Sequence, residues 1–83
     1  EGKYTSALDD LGAKDVLALI QDLSPGYRTV FNLYVVEGYT HKEIADMLGI
    51  SEGTSKSQLS RAKVILQDMV RTFIDKQRGV RSK

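Results

Sequence analysis

Residues 38–63 read GYTHKEIADMLGISEGTSKSQLSRAK, and this stretch decides the fold. Thr40 followed three residues later by Glu43 is the capping-box arrangement that opens a helix. Ile44, Ala45 and Leu48 recur at helical spacing as an inward face, and Gly49 ends the helix. The small side chain of Ala45 lets two helices cross closely where a larger one would push them apart. Ile50 plugs the turn, and Ser51 caps a second helix. Glu52 sits in its first turn, where the helix dipole favours an acid. Two capped helices joined by a Gly-Ile-Ser turn are the pattern of a helix-turn-helix, whose second helix lies in a DNA groove.

That second helix runs on, from Glu52 to about Lys76. Ser55, Leu59, Ala62, Leu66, Met69 and Phe73 follow alternating spacings of four and three, one stripe of a 3.6-residue period. The opposite face holds Gly53, Thr54, Ser57, Ser60, Arg61 and Val64, with Lys56 and Lys63 to one side and Gln58 to the other. Ile65, Val70 and Ile74 widen the apolar side further along, which is expected to pack on the helices that come before.

Two such helices precede the motif. Val16, Leu17, Ile20 and Leu23 predict one over Ala13–Leu23, stopped by Ser24-Pro25-Gly26. Proline suits the first turn of a helix, so Ser24 is expected to cap the next one, Pro25–Glu37. Tyr27, Val30, Phe31, Tyr34 and Val35 give that helix a wide apolar face, and Gly38 supplies its left-handed end. The run VFNLYVV would pass as a strand in isolation, but the caps on both sides decide for helix. The fold class is therefore all-α, a small four-helix domain with a C-terminal helix-turn-helix and no wing. Residues 1–12 read as a linker remnant with a short turn at Leu8 and Leu11. Residues 13–77 form the domain, and 78–83 form a basic, flexible tail.

Eighty-three residues is one domain, near the lower limit at which a core alone supports a fold. No apolar run approaches the length of a membrane span, and membrane insertion is not expected. The chain has no cysteine, which removes disulfides and thiolate metal sites together and fits a cytoplasmic protein. Net charge is only +1, but it is unevenly spread. Residues 1–38 carry three basic groups against six acidic ones, whereas residues 39–83 carry nine against five. That division fits one end of the domain facing phosphate.

The outward face of the last helix has the residue types that read DNA. In the major groove Arg pairs with guanine, Gln with adenine, and Ser or Thr with several bases. Thr54, Ser57, Gln58, Ser60 and Arg61 are of those types, while Lys56 and Lys63 flank them within reach of phosphates. His41 and Lys42, at the start of the preceding helix, would sit beside the DNA backbone. An exposed face with Ser, Gln, Lys and Arg is usually only a solvated one. What raises this face above that is its near freedom from acid, together with the capped motif that presents it. His41 has no cluster of partners that would make it a metal ligand. No nucleophile, base and orienting acid come together to suggest an enzyme, and no cofactor or small-molecule substrate is implied.

Tyr27 to Val70 resembles region 4 of sigma-70 family RNA polymerase sigma factors, specifically the extracytoplasmic function (ECF) group. The likeness is carried by RTVFNLYVVEGYTHKEIADMLGISEGTSKSQLSRAK. The segment Glu43-Ile44-Ala45 through Ser51 is common to many helix-turn-helix proteins. Gly53-Thr54, Lys56-Ser57, Leu59 and Arg61-Ala62 are more specific to this family. The resemblance implies a domain that binds the promoter −35 element and leans on core RNA polymerase near its β-flap. It also implies that Lys56, Ser57 and Arg61 touch DNA, with Thr54 and Ser60 on the same face. Two positions depart from the family pattern. Gln58 replaces a common Arg, and Ser55 replaces a usual Val in the seam, leaving a hydroxyl to satisfy. A region that binds the −10 element would precede residue 1. Two other readings remain beside this one. The first is a LuxR-type regulator domain, although its usual Thr-Val-Lys-x-His run is here Thr54-Ser55-Lys56-Ser57-Gln58. The second is a protein-interaction module that docks a partner such as an anti-sigma factor.

Overall fold

The computed structural model describes residues 12–77, which form four helices and, among the described residues, no strand. The linker and turn expected before Gly12 and the tail expected after Gln77 lie outside the described residues. Helix α1 spans Ala13–Gln21, and α2 begins at Pro25 as an α-helix to Phe31 and continues as a π-helix over Asn32–Val36. Helix α3 spans His41–Leu48 and α4 spans Glu52–Gln77.

Helix α1 stops two residues short of the expected Leu23. Asp22 and Leu23 donate to Leu19 and Ile20 in tightened three-residue turns, because Pro25 forces Ser24 into an extended conformation with ψ of 148°. Ser24 does occupy the cap position of α2, but its side chain makes no capping bond. Only its carbonyl takes part, accepting from Arg28 N–H at 2.8 Å. Arg28 instead works backwards. Its guanidinium donates to the carbonyls of Gln21 at 2.8 Å and Leu23 at 3.3 Å, closing the end of α1, where a cation is favoured.

The strand-like run in α2 stays helical but changes its period. Glu37 N–H donates to Asn32 five residues back, and Tyr39 N–H reaches Leu33 across Gly38, whose φ is +83°. A wider turn takes a smaller angular step per residue, so three-four spacing no longer returns side chains to one face. Tyr34 and Val35, expected inside, are accordingly exposed, and Leu33 packs on the core.

The helix-turn-helix itself forms as its caps dictate. Glu43 N–H donates to Thr40 Oγ1 at 3.1 Å, and Thr40 N–H to Glu43 Oε1 at 2.8 Å. Gly49 has a φ of +70°, and the N–H groups of Gly49 and Ile50 both close on the Ala45 carbonyl. Ile44 and Ala45 are buried, but Leu48, in the last position of this eight-residue helix, is not.

The core joins Ile20 and Leu23 with Val30 and Phe31 of α2, Ile44 of α3, and Leu59, Ala62, Leu66 and Val70 of α4. On α4 the buried seam shifts by one residue beyond Leu66. Val70 is buried, whereas Met69 and Phe73, both expected in the core, are half-buried. A straight helix with 3.6 residues per turn cannot hold a strict seven-residue repeat on one line over 26 residues, so the seam drifts.

Replacing Arg28 by alanine should remove both bonds that close α1 and lower the unfolding free energy by about 1–2 kcal/mol. Urea denaturation followed by circular dichroism would measure this. A midpoint equal to that of the unmodified chain would show that burial of Ile20 and Leu23 alone holds the end of α1.

Candidate nucleic-acid interface

The core leaves the first four turns of α4 half embedded. Ser55, Leu59 and Ala62 face inward, so Gly53, Lys56, Ser57, Ser60, Arg61 and Lys63 are exposed on the other side. From Gly53 to Gln67 this helix contains no acidic residue. Lys56, Arg61 and Lys63 form no salt bridge among the described residues; the only pair found there joins Arg71 to Asp68 further along. Their charge is therefore uncompensated at close range, which favours a polyanion.

The hydroxyls at the head of α4 are arranged in order. Thr54 N–H donates to Ser51 Oγ at 3.0 Å, which is the cap expected from the sequence. Ser51 Oγ in turn donates to Thr54 Oγ1 at 2.9 Å. The Thr54 hydroxyl thus has an acceptor position filled and its own proton free, a donor suited to guanine O6 or N7, thymine O4 or a phosphate. Ser57 is set the other way. Its hydroxyl donates to the Thr54 carbonyl at 3.3 Å, leaving lone pairs outward to accept from the amino groups of adenine or cytosine.

Three residues expected at the interface are less open than the rest. Thr54 is half-buried through its place in the cap. Gln58 is also half-buried, and a methyl group added at Gly26 would lie 3.7 Å from its Oε1, so its amide rests against the first turn of α2. His41, expected in the open, is half-buried as well. Its Nδ1 lies 2.8 Å from Ser55 Oγ, and its ring stacks on Tyr34 with centroids 4.4 Å apart at 16°. Lys42, next to it, is exposed. Tyr27 lines a shallow recess with Ser60, Arg61, Val64 and Ile65, which places a second aromatic beside the expected base reader. Neither Tyr27 nor Tyr34 was singled out for this role in the sequence. Only the buried hydroxyl at position 55, which demanded a partner, pointed towards one of these contacts.

The architecture has a counterpart among known families: a model described as Sigma-70, region 4 matches residues 13–66. The chain belongs to the sigma-70 region 4 family. No curated protein and no solved structure gives a significant match. Sigma-70 region 4 is a helix-turn-helix domain that binds DNA in transcription initiation rather than catalysing a reaction, and the family implies promoter DNA and RNA polymerase as partners. The match covers α1 to α3 and the part of α4 that presents the polar face, ending at Leu66. Among the described residues, no helix is long and apolar enough to cross a membrane.

Gly53 offers a direct probe of this region 4 surface. It is exposed in the first turn of α4, has no left-handed φ, and a Cβ there would meet only Ser51 Oγ at 3.8 Å. The fold does not need glycine at this point. Gly53→Ala should therefore raise stability by up to about 1 kcal/mol. If α4 meets DNA through its first turn, the same change should weaken duplex binding, because the added methyl would stand between the helix backbone and the duplex. Parallel thermal melts and anisotropy titrations would check both; a variant that gains stability and keeps its affinity would move the DNA away from this turn.

Proposed function

We propose that this domain binds the −35 element of promoters as region 4 of an ECF sigma factor, with the first half of α4 in the major groove. The observation that carries the reading is the acid-free exposed face of α4, where Ser57, Arg61 and the Thr54 hydroxyl neighbour one another and Lys56 lies to one side, on a helix fixed by the core. Arg61 and Ser57 contact base edges, together with Thr54 and Ser60. Lys56 and Lys63 hold phosphates on one side, and His41 and Lys42 meet the backbone from α3. Gln58 stands where an Arg is common, and its amide lies back on α2, so its part in base reading is the smallest of the set.

The domain also leans on core RNA polymerase near the β-flap, for which Val35 and Val36, exposed at the π-helical end of α2, supply apolar surface. An anti-sigma factor that masks the domain would compete for the same surfaces. Work of this kind places the protein in the cytoplasm, with no membrane-inserted part in its action.

Two substitutions test the assignment together. Arg61→Ala should weaken binding to a −35 duplex by about 1–3 kcal/mol and relax preference at one base pair. Lys56→Ala should weaken binding to all sequences alike and reduce the slope of log K against log salt by about one. Fluorescence anisotropy over a range of salt concentrations measures both. Unchanged affinity and preference in Arg61→Ala would sink the groove assignment, and a sequence-selective loss in Lys56→Ala would make it a base reader instead.

A further inference from the structure

Ser55 is the one polar residue among the described residues that is fully buried. It stands in the α4 seam, where an aliphatic side chain would complete the core without needing a partner. Its backbone N–H is used by the Ser51 carbonyl at 3.0 Å, and its hydroxyl has a single partner, His41 Nδ1 at 2.8 Å. That contact can be made in two ways, and burial separates them. If Nδ1 carried the imidazole proton, Ser55 Oγ would accept it. The hydroxyl's own proton would then be left without an acceptor in a site closed to water, which is costly. If Ser55 donates to Nδ1, no buried group is left unmet. The imidazole proton then resides on Nε2, the nitrogen turned away from Ser55 on a ring that is only half-buried.

We infer that Ser55 is a positioning residue for DNA binding: it holds His41 in the Nε2–H tautomer, and that N–H is presented to a phosphate of the bound duplex. The inference rests on the DNA-binding reading of the domain and deepens it. Tyr34 completes the arrangement. Its ring, stacked on the imidazole at 4.4 Å, opposes the ring flip that would put carbon in place of Nδ1 opposite Ser55. Three helices thus fix one N–H group in position, orientation and tautomer. Its place also suits a phosphate. His41 opens α3 beside Lys42, and Ser55 lies between Thr54 and Lys56 in α4, so the imidazole stands at the junction of the two helices that straddle a DNA backbone in such motifs. Ser55 itself has no exposed surface and touches nothing outside the protein.

His41 is the only histidine in the chain, so its two ring nitrogens give unambiguous signals in a long-range 1H–15N correlation spectrum. The unmodified 83-residue chain should show the Nε2–H tautomer, and the Nε2 signal should move when a short mixed-sequence DNA duplex is added. Mixed sequence suffices because phosphate contacts carry no base information. Ser55→Ala and Ser55→Val should both remain folded by circular dichroism and melt no earlier than the unmodified chain. Each should nevertheless bind the duplex about three- to tenfold more weakly, as expected for the net contribution of one typical hydrogen bond that is no longer held in place. A purely structural role would make affinity follow the melting temperature instead. An Nδ1–H tautomer in the unmodified chain, or full affinity in the folded Ser55 variants, overturns the inference. Lys56→Ala, measured alongside, separates the two levels. If it loses affinity while the Ser55 variants do not, only the role of Ser55 and His41 falls. If the unmodified chain does not bind the duplex at all, the DNA-binding reading falls with it.

Discussion

Each of the first three helices buries its apolar side on one continuous seam of α4, formed by Leu59, Ala62, Leu66 and Val70. The seam fixes more than the core. A helix held along one side over about three turns cannot rotate about its own axis, so the opposite side is aimed as firmly as the core is packed. Arg61 lies beside Ala62, which has no exposed surface, and Ser57 and Ser60 flank Leu59. Removing a large side chain from this seam, such as Leu66, would cost about 2–5 kcal/mol, a large fraction of the stability of a domain this small. The proposed base readers and the core residues therefore occupy adjacent positions of one helix.

The head of α4 is held differently, by polar contacts. Ser51 and Thr54 lock the first turn through their hydroxyls, and Ser55 reaches His41 and, through it, Tyr34. Apolar packing tolerates small slides between surfaces, because dispersion and burial have little direction. Hydrogen bonds at 2.8 to 3.0 Å do not tolerate them, since they weaken steeply with distance and angle. The division is physically sensible: strength comes from the seam, and the register of the first turn of α4 comes from directional bonds. The π-helical turn belongs to the same scheme, because it is the segment of α2 that carries Tyr34 to the imidazole.

What was legible in the sequence follows the range of the interactions concerned. The Thr40–Glu43 capping box, the Ser51 cap and the left-handed Gly38 and Gly49 are decided within a few residues, and they fall where local rules put them. The α4 stripe was legible as far as Leu66, because a repeating pattern reports its own face. Beyond that point, and in α2 beyond Phe31, the reading assumed a constant angular step, and Phe73, Tyr34 and Val35 came out further from the core than expected. The Ser24 side chain was expected to cap α2 and does not, while Arg28 closes α1 from seven residues away. His41 meets Ser55 across fourteen positions, and Gln58 folds back to Gly26 across more than thirty. Such contacts depend on how helices cross, which no local spacing encodes. The candidate face was legible for a chemical reason: surfaces ordinarily mix both signs of charge, and α4 runs fifteen residues from Gly53 without an acid.

The charge on that face also sets how tightly it can bind alone. Lys42, Lys56, Arg61 and Lys63 are exposed cations on the two helices of the motif, and each phosphate neutralised adds about 0.9 to the salt slope. If Arg61 is committed to a base, three phosphate contacts remain, for a slope of about −3. Proteins that hold DNA strongly by charge alone show slopes several times steeper. The sequence-independent part of the affinity is thus small by construction, and a single helix face adds limited buried area. A domain with this balance discriminates between sites better than it holds them, because base contacts form a larger share of a small total. That is the balance expected of a recognition element whose residence on DNA is supplied by RNA polymerase, the partner its family implies. A more cationic α4 would bind DNA more tightly everywhere and discriminate less, so under the proposed docking the modest charge of this helix would itself contribute to specificity.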